Sequence, residues 1–356
     1  MAAGLRIGGA PVVTLRARDL PAGEPAFTEA QILPGRGMML LQAKLRLPDG
    51  REVDALFAPE PDEAARELSG GPDDFAGNRA FAFGGCLLAP FANRIRGRAV
   101  EGCREIETDV DGRTVRLPRN WGGRAPGAEQ YAMHGLILDA GVPFEASADA
   151  VSGHLDAGDF GGRWPGKLQL DVTWTLRGGA LLLSVRARNS GSEPLPLGLG
   201  WHPYFRVPSG DRAQARLRLP AALHCEVNDY DEVLPTGRLL PVAGTPYDFN
   251  RGPALDELYL DDCFTDLVRA DGEVVVEVLD SAAGIGLRVA SPTPDVKAVQ
   301  VYAPPDKPFV VVEPQFNLAE PFADIWPPGV DTGMARLAPG AAVGYEVRLE
   351  AFALGT

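Results

Sequence analysis

The sequence predicts an all-β protein, a large antiparallel β-sandwich, on three observations. Apolar and polar residues alternate over several stretches, 42 Gly and 32 Pro are scattered among apolar runs, and helical periodicity is nearly absent. Alternation with period two marks a strand buried on one face, and dense Gly and Pro punctuation shortens elements and makes turns. Half-buried strands joined by short turns pack as sheets face to face.

The elements follow in chain order. Residues 39–47 and 52–58 flank Pro48-Asp49-Gly50, where proline fixes φ and glycine accepts φ > 0, so a hairpin is predicted. Residues 62–68, opened by Pro61, are the one short helix. In 167–176, Leu168, Leu170, Val172, Trp174 and Leu176 alternate with Gln169, Asp171, Thr173 and Thr175. After Arg177-Gly178-Gly179 the alternation resumes at Leu181, Leu183, Val185 and Ala187, which makes a second hairpin. Further strands are predicted at 216–219, 274–279, 285–290, 299–302 and 310–312, with a last alternating one at Tyr345, Val347, Leu349 and Ala351. No fixed-period repeat and no linker rich in Ser, Pro or charge divides the chain, so residues 1–356 read as one domain.

Lys and Arg number 34 against 48 Asp and Glu, a formal charge of −14, and 45% of the residues are hydrophobic. The acidic balance excludes a basic nucleic-acid-binding protein, and the apolar content supports a sizeable core. No run approaches the ~18 apolar residues of a membrane helix, and the N-terminus lacks the apolar core of a secretory signal. Cys86, Cys103, Cys225 and Cys263 show no C-x-x-C spacing. A cytoplasmic protein with reduced thiols and no membrane partner is expected. The excess of Arg over Lys, together with abundant Ala, reads as coding bias. Walker A, H-E-x-x-H and G-x-S-x-G are absent, and Asp159-Phe160-Gly161 lacks the companion motifs of a kinase.

Candidate chemistry rests on few residues. His202 stands in Gly200-Trp201-His202-Pro203-Tyr204-Phe205 and His134 in Met133-His134-Gly135, whereas His154 and His224 have ordinary surroundings. An imidazole among aromatics serves either the core or a reaction. Glu313 follows Val310-Val311-Val312; a carboxylate there either reaches water at the strand end or is buried, which is costly unless it is paired or functional. Asn93-Arg94-Ile95 closes the apolar run 81–91 and sets a guanidinium at its rim.

Taken together, these segments resemble the aldose 1-epimerase (galactose mutarotase) family. Ala92-Asn93-Arg94-Ile95 is similar to its A-N-R-I, His134-Gly135 to its H-G, and His202-Pro203-Tyr204-Phe205 to its H-P-Y-F. Leu260-Asp261-Asp262-Cys263-Phe264 is similar to its D-x-x-F, with Asp261 and Asp262 both fitting the acidic position. Val299-Gln300-Val301-Tyr302 is similar to its V-Q-x-Y, and Val312-Glu313-Pro314-Gln315 to the segment holding its glutamate. The matches keep the family's order over residues 92–315. The chain departs from the pattern after His134-Gly135, which lacks the usual glycines, and at Ala303-Pro304-Pro305, where the family continues T-G-N. Both departures bear on substrate identity more than on the reaction.

The resemblance implies a galactose mutarotase-like sandwich that interconverts the α and β anomers of a free aldose without cofactor or metal. Glu313 is then the catalytic base and His202 the acid, with Asn93, Arg94, His134, Asp261 and Gln300 binding the sugar. Tyr204 and Phe205 are expected to fill the core. A hexose 6-phosphate epimerase and a non-catalytic sugar-binding sandwich are the alternatives. The former needs a basic cluster, for which Arg96 and Arg98 are the nearby candidates.

Overall fold

A computed structural model describes residues 5–123 and 127–355. Strands run through the described chain from near one end to the other, in two large antiparallel sheets and four small ones. The eight-stranded sheet has the order Phe144–Ala146, Ala150–Gly158, Leu168–Arg177, Ala180–Asn189, Ala342–Ala353, Ile285–Ser291, Val274–Asp280, Ala215–Arg218. The eleven-stranded sheet runs Pro235–Pro241, Ala221–Val227, Leu260–Leu267, Ala298–Ala303, Phe309–Gln315, Gly200–Arg206, Gly85–Leu88, Met39–Arg46, Ala26–Leu33, Val13–Arg16, with Glu52–Asp54 paired to Met39–Arg46.

The expected hairpins form. Leu168–Arg177 pairs with Ala180–Asn189 in unbroken register. Gly178 and Gly179 both have positive φ, 57° and 81°, as the two-residue turn that matches strand twist requires. After Pro48-Asp49-Gly50 the return strand is Glu52–Asp54, shorter than 52–58, because Leu56 leaves it to bridge Phe205. The helix spans Pro61–Glu67. Among the described residues no helix is long and apolar enough to cross a membrane.

The two large sheets meet through their inner faces. Trp174 and Leu183 of the eight-stranded sheet share one core with Trp201, Phe205, Val310 and Val312 of the other. The Trp174 and Trp201 rings meet edge to face at 5.6 Å, and the Tyr345 hydroxyl donates to the Pro314 carbonyl at 2.6 Å. Because side chains alternate along a strand, the partners of those core residues point the other way. His202 and Tyr204, Val311 and Glu313, and Gln300 and Tyr302 therefore share the outer face of the eleven-stranded sheet, which intervening loops cover.

Candidate active site

Strand register assembles the site. Gln300 lies opposite Glu313 across one strand boundary, Cys263 lies opposite Gln300 across the next, and His202 lies opposite Cys86. The row closes where His202 Nε2 comes within 3.2 Å of Glu313 Oε1. Glu313 is therefore buried, at 1% exposure, rather than reaching water.

A second group of residues arrives on loops. Asn93 and His134 both adopt left-handed backbone, φ 58° and 62°, a conformation that is strained for side-chain-bearing residues and gathers at functional sites. The His134 N–H donates to the Asn93 carbonyl at 2.8 Å, joining the two turns. Gly135 follows at φ 88°, and a Cβ there would lie 2.1 Å from the Ala89 carbonyl oxygen, so only glycine lets His134 approach this closely. Asn317 grips Ala92 through both its amide groups, accepting from the backbone N–H at 3.0 Å and donating to the carbonyl at 2.9 Å. Glu320 accepts from the Arg96 N–H at 2.7 Å, and its own N–H donates to the Arg94 carbonyl at 2.9 Å. Neither Asn317 nor Glu320 stands out in the sequence. Each looks like an ordinary loop residue, and the only signal is its closeness to the Glu313 segment.

These placements link the polar side chains into a chain. Arg94 Nε donates to Asn93 Oδ1 at 3.1 Å, Asn93 Nδ2 to Gln300 Oε1 at 3.0 Å, and Gln300 Nε2 to Asp261 Oδ1 at 2.7 Å. Of the two adjacent aspartates, Asp261 reaches this chain, while Asp262 turns away and accepts from the Tyr230 hydroxyl at 2.9 Å. His134 meets His202 edge to face at 4.8 Å and Phe81 at 5.1 Å. Tyr204 does not fill the sandwich core as Phe205 does. It stacks on His202 at 5.0 Å and donates its hydroxyl to the Phe81 carbonyl. His154 is exposed beside Asp171, away from this cluster.

Electrostatics set the pair apart. Burial drives the Glu313 carboxyl well above its usual range; nearby Asp261 adds to the effect and Arg94 opposes it. Burial lowers His202 to about 3 and holds His134 well below its ordinary value, with His202 and Arg94 adding to the latter shift. Glu313 Oε2, His202 Nδ1 and His134 Nδ1 are buried without a hydrogen-bond partner. Buried polar atoms are ordinarily satisfied, so three such atoms in and beside one pair are what a site for a hydroxyl-rich ligand would show. Donor atoms of His134, His202 and Glu313 lie within 4.8 Å of one another, a spacing that could also hold a metal ion.

A family model for aldose 1-epimerase matches residues 52–349. Mouse galactose mutarotase is 29% identical over 172 residues, 47% of this chain and 45% of that protein, and the pig protein is 26% identical over 184 residues, 48% and 50%. The matched stretch thus spans about half the length of these relatives. Among solved structures, an aldose epimerase homologue from C. elegans superposes with TM-score 0.72 at 19% identity, covering 97% of this chain and 99% of that one. A galactose mutarotase-like protein from Clostridium acetobutylicum gives 0.73 at 19%, covering 92% and 93%. The folds agree over nearly the whole chain and the family model covers most of its residues: the chain belongs to the aldose 1-epimerase family.

Proposed function

We propose that the protein catalyses interconversion of the α and β anomers of a free aldose, with Glu313 and His202 as the proton-transfer pair. One observation carries the reading: the 3.2 Å contact between His202 Nε2 and Glu313 Oε1, flanked by the chain from Arg94 to Asp261. Ring opening takes a proton from the anomeric hydroxyl and adds one to the ring oxygen. Glu313 accepts the first and His202 delivers the second; rotation about C1–C2 and closure with the roles reversed yield the other anomer. Protons balance without a cofactor. Arg94 and His134 hold the ring oxygen and a hydroxyl, while Asn93, Asp261 and Gln300 hold the remaining hydroxyls.

The shifts of the pair bear on where its single proton rests. Burial raises Glu313 and lowers His202, and both shifts favour the neutral pair, with the proton on the carboxyl. That distribution is the one reached after ring opening. A cyclic sugar starts from the other, in which the proton has crossed to His202, and Arg94, which pulls Glu313 downward, favours that shift. The pair titrates as a unit, so activity depends on its one-proton state and falls on both sides of it.

Nothing at the basic candidates favours a phosphorylated substrate. Arg96 is paired with Glu129 and Glu320, each at 3.5 Å, and Arg98 with Glu107. Polarimetry of freshly dissolved α-D-glucose and α-D-galactose, with hexose 6-phosphates in parallel, tests the reading. Glu313→Gln and His202→Asn should each slow anomerisation roughly 10²- to 10⁴-fold, about 3–5 kcal/mol of barrier. Wild-type protein that binds these sugars calorimetrically but leaves the rate at that of buffer would show a sugar-binding sandwich instead. Selective action on the phosphates would move the substrate class.

A further inference from the structure

Asp262 opens on a cavity that the catalytic pair does not use. Its neighbour Asp261 reaches Gln300, and alternation along the Leu260–Leu267 strand sends Asp262 to the opposite face. There a cavity of about 400 Å3 is lined by Asp262, His224, Tyr230, Tyr247, Asn228 and Asp229, among others. None of Asn93, Arg94, His134, His202, Gln300 or Glu313 contributes to it.

Its chemistry is specific. His224, 6% exposed, has a ring nitrogen, Nδ1, without a protein partner. The imidazole stacks face to face on Tyr247 at 4.2 Å and 22°, so the two rings form a stacked aromatic pair in the cavity wall. The Tyr230 hydroxyl lies 2.9 Å from that of Tyr247 and donates to Asp262. Tyr230 is itself 38% exposed, so an aromatic side chain stands at the rim. No Lys or Arg lines the cavity, while Glu226, Asp229 and Asp262 do; phosphate or carboxylate ligands would meet only like charge. The outer face of a stacked aromatic pair beside carboxylate, amide and phenol groups suits a ring with apolar C–H faces and hydroxyl edges.

We propose that this cavity is a second binding site, distinct from the catalytic one, for an uncharged sugar ring seated against His224 and Tyr247. The ligand class follows from the cavity's own groups and not from the proposed anomerisation, so the two readings fail separately. Methyl NMR resolves them, because Leu240 and Val227 line the cavity whereas Val311 packs on Tyr204 beside the catalytic pair. Titration with D-galactose or D-glucose should shift the Leu240 and Val227 methyls in wild type and equally in Glu313→Gln. Tyr230→Phe, which removes only a hydroxyl, and Tyr247→Leu should each weaken that response at least about 10-fold while the Val311 response persists. Leu240 and Val227 methyls that stay still while Val311 saturates would overturn the proposal. So would an equal response to glucose 6-phosphate, or a response unchanged in both tyrosine variants.

Discussion

Glu277 and Glu313 are buried glutamates on the two large sheets, and their surroundings differ. Glu277, 5% exposed, lies between Arg218 and Arg288 on neighbouring strands. Its Oε2 accepts from Arg218 at 2.8 Å and its Oε1 accepts twice from Arg288, at 3.0 and 2.9 Å. Glu313, 1% exposed, has one oxygen 3.2 Å from an imidazole and the other unpartnered. A carboxylate matched at both oxygens by guanidinium forks contributes to holding strands together. One buried with half its acceptors unmet contributes nothing comparable to the fold, and its energetic cost points to chemistry. Burial alone does not separate structure from function; satisfaction of the buried group does.

The comparison breaks most sharply if Glu313 proves structural. Glu313→Gln should lose activity by the 10²- to 10⁴-fold factor given above yet unfold at the same denaturant concentration as wild type or a higher one. A large drop in unfolding midpoint would place Glu313 with Glu277. The converse case lies in the eight-stranded sheet, where Leu183 is fully buried opposite Trp174 and Val347. Leu183→Ala should cost about 2–5 kcal/mol of stability through lost burial and a residual cavity. The rate per folded molecule should stay within a factor of about two, because no catalytic side chain touches that position.

Much of this contrast was readable in the sequence, and the parts that were not have physical causes. The alternation around Trp174 exposed its hairpin because one face of that sheet meets water. Val310-Val311-Val312 reads as a continuous apolar run because loops cover the second face of the other sheet. Ala150–Gly158 does not read as a strand in the sequence. Its Gly153 has the Val142 and Met38 side chains within 3 Å of where a Cβ would stand, so close packing demands the very residue that masks strand character. The order of the motifs showed which residues belong together, but not that His202 and Glu313 touch, which depends on register between strands far apart in the chain. The choice between Asp261 and Asp262 was open for the same reason, since it turns on which face of a strand each side chain takes. Tyr230 and Tyr247 lie in a stretch without any recognisable motif, and only the folded chain brings them to Asp262.

Glu277→Gln sharpens the comparison from the other side. Two arginines would keep their charge while losing the anion between them, and the loss should be about 1–3 kcal/mol with anomerisation unchanged. Glu313 should also show itself in the pH dependence of stability. A carboxyl whose folded pKa is raised contributes stability below its unfolded value, 4.5, and loses that contribution as pH rises through the folded value. Relative to wild type, Glu313→Gln should therefore gain stability as pH climbs above about 4.5, and the difference should be flat below it. Urea unfolding of both proteins at about pH 4 and about pH 8 checks the sign. A difference that shrinks with rising pH would mean that Glu313 is stabilised as an anion.

The smallest effect sets the lower end of the scale. Arg348 holds Glu273 through two contacts, at 3.1 and 3.0 Å, on the outer face of the eight-stranded sheet, with the guanidinium side chain 36% exposed. Arg348 reaches both carboxylate oxygens where Arg288 puts both contacts on one. The two guanidinium side chains are equally exposed, but Glu273 is 24% exposed where Glu277 is 7%, so less desolvation is at stake when the pair is removed. Arg348→Ala should cost under about 1 kcal/mol, and the loss should fade as salt screens the exposed charges. If Arg348→Ala cost as much as Glu277→Gln, contact geometry rather than burial would set the worth of an ion pair in this sheet. The unmet oxygen of Glu313 would then carry less meaning, because its cost rests on the same premise that a buried carboxylate needs partners and an exposed one does not.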